Sequence, residues 1–182
     1  FNINQGEIIG LIGPNGAGKT TLFNCVAGVE KPSSGIISFV PNKSEGVSIG
    51  GKKPEQVTKL GIARTFQNIK LFDALTVLDN VKIGRHCRFK SNFFGAVFQT
   101  LGQRREEKQI KDSALEYLKF VGLTGRYDEM AASLPYGDQR RLEIARALAT
   151  GPQLLMLDEP AAGMNPQESK ELMDLIYQIR DQ

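Results

Sequence analysis

With 182 residues, 41% of them hydrophobic, the chain can bury one well-formed core and carry a small subdomain. A charged fraction of 24% excludes wholesale disorder, and a net charge of +3 neither requires nor rules out a nucleic-acid or acidic-membrane partner. Cys25 and Cys87 show no CxxC or zinc-ligand spacing, which fits a reducing compartment, and no apolar run reaches the about 18 residues needed to cross a bilayer.

The opening Phe1-Asn2-Ile3-Asn4 has no signal-peptide character and reads as a cut inside a longer product. Glu7 to Ile12 is an apolar run ending in Gly13-Pro14, the pattern of a buried parallel strand entering a loop. A helix is expected from Lys19 to about Ala27, stopped near Gly28. Ile36 to Val40 reads as a second strand, and Asn42 to Pro54, rich in Gly, Ser and Lys, as an exposed loop. Further on, Ile110, Ala114, Leu118 and Val121 share one helical face that ends at Gly122. Gln139 to Ala149 repeats that habit. Leu154 to Leu157 is a short buried strand followed by two acids. Asn165-Pro166-Gln167-Glu168 then starts a helix with an Asn cap, a first-turn Pro and a Glu that closes a capping box. Leu172, Leu175, Ile176 and Ile179 give that helix one apolar face. Buried strands alternating with helices predict an α/β layer fold with a mainly parallel sheet, and the helical stretch that begins near residue 75 predicts an inserted α-helical subdomain.

Gly13-Pro14-Asn15-Gly16-Ala17-Gly18-Lys19-Thr20 satisfies G-x-x-x-x-G-K-[ST] between a strand and a helix, where a phosphate loop belongs. The glycines allow the backbone to curl so that successive N–H groups face phosphate oxygens, and the helix N-terminus adds partial positive charge. Lys19 supplies a full charge for the β- and γ-phosphates, Thr20 offers a hydroxyl to Mg²⁺, and Thr21 completes the cradle. Downstream, the strand Leu154–Leu157 delivers Asp158 and Glu159 to the ligand-binding edge of an open sheet. Asp158 suits Mg²⁺ and Glu159 suits a general base; a helix cap is the alternative use of such a pair. The set fits many P-loop NTPases that work with Mg²⁺.

Ser133-Leu134-Pro135-Tyr136-Gly137-Asp138-Gln139-Arg140-Arg141-Leu142-Glu143-Ile144-Ala145-Arg146-Ala147-Leu148 resembles the signature motif and following helix of the ABC ATPases. Gly61-Ile62-Ala63-Arg64-Thr65-Phe66-Gln67 resembles their Q-loop, and Glu159 to Asn165 their D-loop. Pro-Tyr-Gly-Asp-Gln, Gly84-Arg85-His86 and Ala-Ala-Gly-Met-Asn-Pro further resemble the branched-chain (hydrophobic) amino acid uptake ATPases. The resemblance implies a P-loop core at 1–74, with the P-loop and Q-loop, and at 151–182, with the Walker B and D-loop motifs, and a helical subdomain at 75–150 with the signature. It implies that Leu134, Pro135, Tyr136, Gly137, Asp138 and Gln139 bind nucleotide across a homo- or hetero-dimer. Gln67 would join Thr20 and Asp158 at the metal, and Gln67, Lys19 and Glu159 would serve hydrolysis. Transmembrane permease subunits at the cytoplasmic face of the inner or plasma membrane would be the partners, with no direct nucleic-acid contact and no membrane span in this chain.

Three departures stand out. Pro135 replaces the serine whose hydroxyl touches the γ-phosphate, so backbone N–H groups such as that of Gly137, near a helix start at Asp138, would have to serve. Asn165 replaces the D-loop acid. The switch histidine falls beyond Gln182 and the adenine-stacking aromatic before Phe1, so this stretch alone is expected to bind ATP weakly and turn it over little. His86 with Arg85 and Arg88 reads as a solvated helix face or a contact for an acidic partner loop. Phe93 to Phe98 reads as subdomain packing or a groove for the partner. Arg140-Arg141 either position the signature loop or pair with nearby acids. A non-transport ABC ATPase, in translation or DNA maintenance, and a nucleotide-binding regulator with little turnover are the alternatives in function.

Overall fold

A computed structural model describes residues 1–41, 45–86 and 101–182, with the backbone alone at 86 and 101–104. In chain order the elements are α1 (Lys19–Val26), β1 (Ser38–Phe39), β2 (Val47–Ser48), α2 (Pro54–Leu60), β3 (Ile62–Arg64), α3 (Val77–His86), α4 (Leu101–Phe120), a 3₁₀ turn (Ala131–Ser133), α5 (Tyr136–Ala149), β4 (Leu154–Met156) and α6 (Pro166–Arg180). They form two compact units, Phe1–Arg64 with Gln153–Gln182, and Thr65–Pro152. Cys87, Arg88 and the Phe93–Phe98 run lie outside the described residues, as does the side chain of His86.

In the first unit, β3 and β4 pair in parallel, with Ile62 opposite Leu154, Ala63 opposite Leu155 and Arg64 opposite Met156. This pairing brings two segments about ninety residues apart into one sheet, so the ends of both strands open on the same edge. A second, antiparallel pair joins β1 to β2 through Ser38–Ser48 and Phe39–Val47. Ile49, Val57, Ile62 and Met156 form the buried cluster, with Phe23, Val26 and Phe39 packed against it. α6 starts as its sequence predicts: Asn165 Oδ1 accepts from the Glu168 N–H, and Glu168 Oε2 accepts from the Asn165 N–H, both at 2.9 Å. Leu172 and Leu175 are its buried positions.

Two expectations are corrected here. Glu7–Ile12 forms no strand, and Ile8, Ile9, Leu11 and Ile12 are exposed. An extended apolar run needs a neighbour to take its backbone bonds and cover its side chains, and no strand among the described residues pairs with this one. The reverse holds for the segment after residue 41. Its small polar residues suggest open loop, yet Val47–Ser48 pairs as β2 and Ile49 is a core residue. The alternation Val47-Ser48-Ile49 is a half-buried strand hidden among glycines and lysines.

In the second unit, α3, α4 and α5 pack mutually. Ile110, Ala114, Leu118 and Val121 are all buried, as their spacing predicts, and so are Leu142, Ala145, Leu148 and Ala149 of α5. Thr76 caps α3: its Oγ1 accepts from the Asp79 N–H at 3.1 Å and donates to Asp79 Oδ2 at 2.9 Å. The Lys82 hydrogen bond, then that of Thr76, holds the Asp79 carboxyl below the ordinary carboxylate value, so its contribution to stability is lost only as pH falls through that lowered value. The buried Asn80 clamps the preceding loop, accepting from the Phe72 N–H at 2.9 Å and donating to the carbonyls of Phe72 at 3.1 Å and Thr76 at 3.0 Å.

Gly84 lets α3 approach α5 closely. A Cβ there would overlap the Arg146 carbonyl oxygen and lie 3.2 Å from the Ala149 Cβ. Because the obstacle is backbone, the helices must separate to admit a methyl. Gly84→Ala is therefore expected to destabilise the protein by about 1–3 kcal/mol despite its better helix propensity, read as a lower urea midpoint. An unchanged or raised midpoint would contradict this packing.

Candidate functional site

The loop Gly13–Thr20 enters α1 through two residues in the left-handed region, Gly16 (φ 82°) and Gly18 (φ 83°). A side chain at either would strain the backbone by about 1–2 kcal/mol. Gly18 is the N-cap residue of α1, no side chain caps the helix, and its first turn holds no acidic residue. The partial positive charge of the helix start is thus left for a ligand. Lys19 Nζ folds back over the loop and donates to the carbonyls of Gly13 at 2.6 Å and Pro14 at 2.9 Å. The turn closes with the Ala17 N–H on the Pro14 carbonyl at 3.2 Å. Pro14, Asn15, Gly16, Ala17, Gly18, Thr20 and Thr21 are exposed. Gathered amides, one ammonium and a hydroxyl on an open surface suit an anion with several oxygens.

The two acids beyond β4 occupy different environments. Asp158 Oδ2 takes a hydrogen bond from Arg64 at 2.9 Å, with the two side chains 13% and 8% exposed. The second nitrogen of that guanidinium donates to Asn24 Oδ1 at 2.6 Å, and its carbon stands 5.6 Å from the Phe23 ring centre. Asn24 and Phe23 belong to α1, so Arg64 ties the carboxylate to the helix behind the phosphate loop. Glu159, by contrast, is exposed and has φ 45°, the one non-glycine residue at positive φ among the described residues. A left-handed glutamate costs about 1–2 kcal/mol, and such outliers collect at functional sites. Its carbonyl accepts the Ala162 N–H at 3.1 Å, which fixes the turn that presents the side chain.

The remaining predicted site residues lie in the second unit. Pro135 is the N-cap residue of α5, which starts at Tyr136, two residues ahead of the expected start at Asp138. Leu134 and Gly137 are buried, whereas Pro135 and Tyr136 are exposed. Gln139 donates to the Leu134 carbonyl at 2.9 Å, and Asp138 pairs with Arg126 at 3.5 Å. The carbonyl of Gln67 accepts from Arg140 at 2.9 Å. Of the two readings of Arg140, pairing with a nearby acid holds, since it meets Glu143 at 2.8 Å; the loop whose carbonyls it grips is the Phe66–Gln67 segment, not the signature loop. Sequence reasoning passed over Arg64, which sat inside a motif quoted for its glutamine. It also passed over the strained backbone of Glu159, which no residue pattern announces.

The residues present fit Mg²⁺ with a nucleoside triphosphate. The uncapped helix start and the glycine curve answer to phosphate oxygens, and a hydroxyl and a carboxylate, both hard oxygen donors, belong to the same unit.

The sequence profile of the ABC transporter family matches residues 1–162. The high-affinity branched-chain amino acid transport ATP-binding protein LivG of Salmonella typhimurium is 44% identical over 181 residues, covering 100% of this chain and 69% of its own length. BraF of Pseudomonas aeruginosa, a protein of the same description, is 41% identical over 182 residues, again covering 100% and 69%. Among solved structures, a nucleotide-free ATP-binding cassette from an ABC transporter superposes with TM-score 0.79 at 31% identity, covering 98% of this chain and 68% of that one. A dimeric cassette in a post-hydrolysis state, bound to ADP and Pi, gives 0.77 at 26% identity, covering 99% and 72%. The chain belongs to the ABC transporter family as an ATP-binding cassette, with the P-loop α/β fold of that group.

Proposed function

We propose that this chain binds ATP with Mg²⁺ and hydrolyses it to power uptake of branched-chain amino acids through transmembrane permease subunits. The observation that carries the chemistry is the contact path Asn24–Arg64–Asp158, which joins the acid strand to the helix behind the phosphate loop. The substrate class rests on the likeness to LivG and BraF along the whole chain. A cassette docked on permease subunits would stand at the cytoplasmic face of the membrane, and no helix among the described residues is long and apolar enough to cross it.

The parts take distinct tasks. The amides around Gly16, Gly18 and Lys19 cradle the phosphates, and the Lys19 ammonium leaves the Gly13 and Pro14 carbonyls for phosphate oxygens. Thr20, Asp158 and Gln67 would hold Mg²⁺, which would supply positive charge against the charge developing on the phosphates. Glu159, exposed and fixed by its turn, polarises the attacking water. Residues Leu134 to Gln139 of a second cassette close over the nucleotide, with the Gly137 N–H in the first turn of α5 standing in for the missing serine hydroxyl. Nucleotide thereby favours the closed pair because it binds that state more tightly. Catalysis is then mainly positional and electrostatic.

Glu159→Gln in the complete protein is expected to keep ATP binding and lose hydrolysis, checked by fluorescent-nucleotide titration beside phosphate release; normal turnover would refute the base assignment. Arg64→Met removes one partner of a mostly buried pair and with it the tie between Asp158 and α1. It is expected to cost about 3–5 kcal/mol in urea unfolding, and an unaltered transition would show that the pair does not hold the carboxylate.

A further inference from the structure

Inside the second unit, a fully buried ion pair on α5 grips the segment that carries Gln67. Arg140 and Glu143 are 0% and 1% exposed and sit one helical turn apart, joined at 2.8 Å. The Arg140 guanidinium donates to the carbonyls of Phe66 at 2.7 Å and Gln67 at 2.9 Å. Glu143 Oε1 accepts the N–H groups of Phe66 and Lys70, both at 3.3 Å. Arg146, one turn further, donates to the Lys70 carbonyl. Carbonyls and amides on both sides of Gln67 are thus held by one helix. That helix begins at Tyr136, inside the signature, and Tyr136 Oη lies 3.4 Å from the same guanidinium.

Such a pair is a costly way to stabilise a fold. Removing two charges from water is seldom repaid, and apolar replacements of similar volume are often neutral or stabilising. Here the Arg140 Nε–H has no acceptor among the described residues, which adds to the cost. The compensating gain is geometric: a planar guanidinium fork can hold two successive carbonyls while its partner holds the amides.

We propose that Arg140 and Glu143 are positioning residues that lock the Gln67 segment to the signature helix, so that signature and Gln67 move as one body when a nucleotide is clasped. The functional half of this inference rests on Gln67 helping to hold the Mg²⁺ that hydrolysis needs, as proposed above.

The test uses the complete ATP-binding protein with three changes: the double variant Arg140→Met/Glu143→Leu, Gln67→Ala, and all three together. A fourth, Arg140→Lys, keeps the charge opposite Glu143 while one ammonium cannot reproduce the fork. For the double variant the expected result is a urea midpoint equal to or above the parent, with amide exchange of Phe66 and Lys70 about tenfold faster. Its kcat for ATP is expected to fall about tenfold with KM little changed, and adding Gln67→Ala should cause no further loss, since groups in one network do not act additively. Arg140→Lys should fold normally and show the same changes to a smaller degree. Unchanged exchange at Phe66 and Lys70 in both the double variant and Arg140→Lys would overturn the lock, as would losses that multiply between the pair and Gln67→Ala. If Gln67→Ala alone leaves kcat intact, the role of Gln67 fails, while the exchange rates still decide whether the pair holds the loop.

Discussion

The site depends on the parallel pairing of β3 with β4. That register sets Arg64 opposite Met156, two residues short of Asp158, and so lets one guanidinium span from the acid to Asn24 on α1. Without it, the phosphate loop and the acids would be unrelated segments separated by well over a hundred residues. The pairing is short, three residues on each strand, and is secured by burial of Ile62 and Met156 in one cluster. Apolar burial fixes the sheet, the sheet fixes the ion pair, and the ion pair fixes the carboxylate.

Two buried arginines perform parallel work in the two units. Arg64 holds a side chain, Asp158, and Arg140 holds a backbone, the Phe66–Gln67 peptide. Both are anchored by a carboxylate or carboxamide whose position is set by a helix. In each case the charge is expensive to bury, and its worth lies in direction rather than in stability. The two acids after β4 divide labour by environment in the same spirit. Asp158 is mostly buried and tied to Arg64, as the proposed metal contact requires, whereas Glu159 is exposed on a strained turn.

Much of this was legible in the residues. The phosphate loop and its helix are written in glycine spacing and a lysine, the cap of α6 in Asn165 and Glu168, and the buried faces of α4 and α5 in their period. The errors have physical causes. The run Glu7–Ile12 has a strand's composition, but pairing is a property of two segments and composition describes one. Val47-Ser48-Ile49 is too brief to stand out against its glycine-rich surroundings. α5 starts at Tyr136, two residues before the expected Asp138, with Pro135 as its N-cap residue. What no local pattern discloses is long-range partnership: Arg64 with Asp158, and Arg140 with the Gln67 peptide, are 94 and 73 residues apart.

The central claim is that curled amides and one ammonium take the phosphates while the tied carboxylate meets the metal. Amide chemical shifts of the complete protein, followed by NMR during titration with ADP and then Mg²⁺, test it most directly. The account predicts that Gly16, Gly18, Lys19 and Thr20 move with nucleotide and that Asp158 and its neighbours respond when the metal is added. Saturable binding that leaves these loop amides unmoved, with shifts elsewhere, would contradict it.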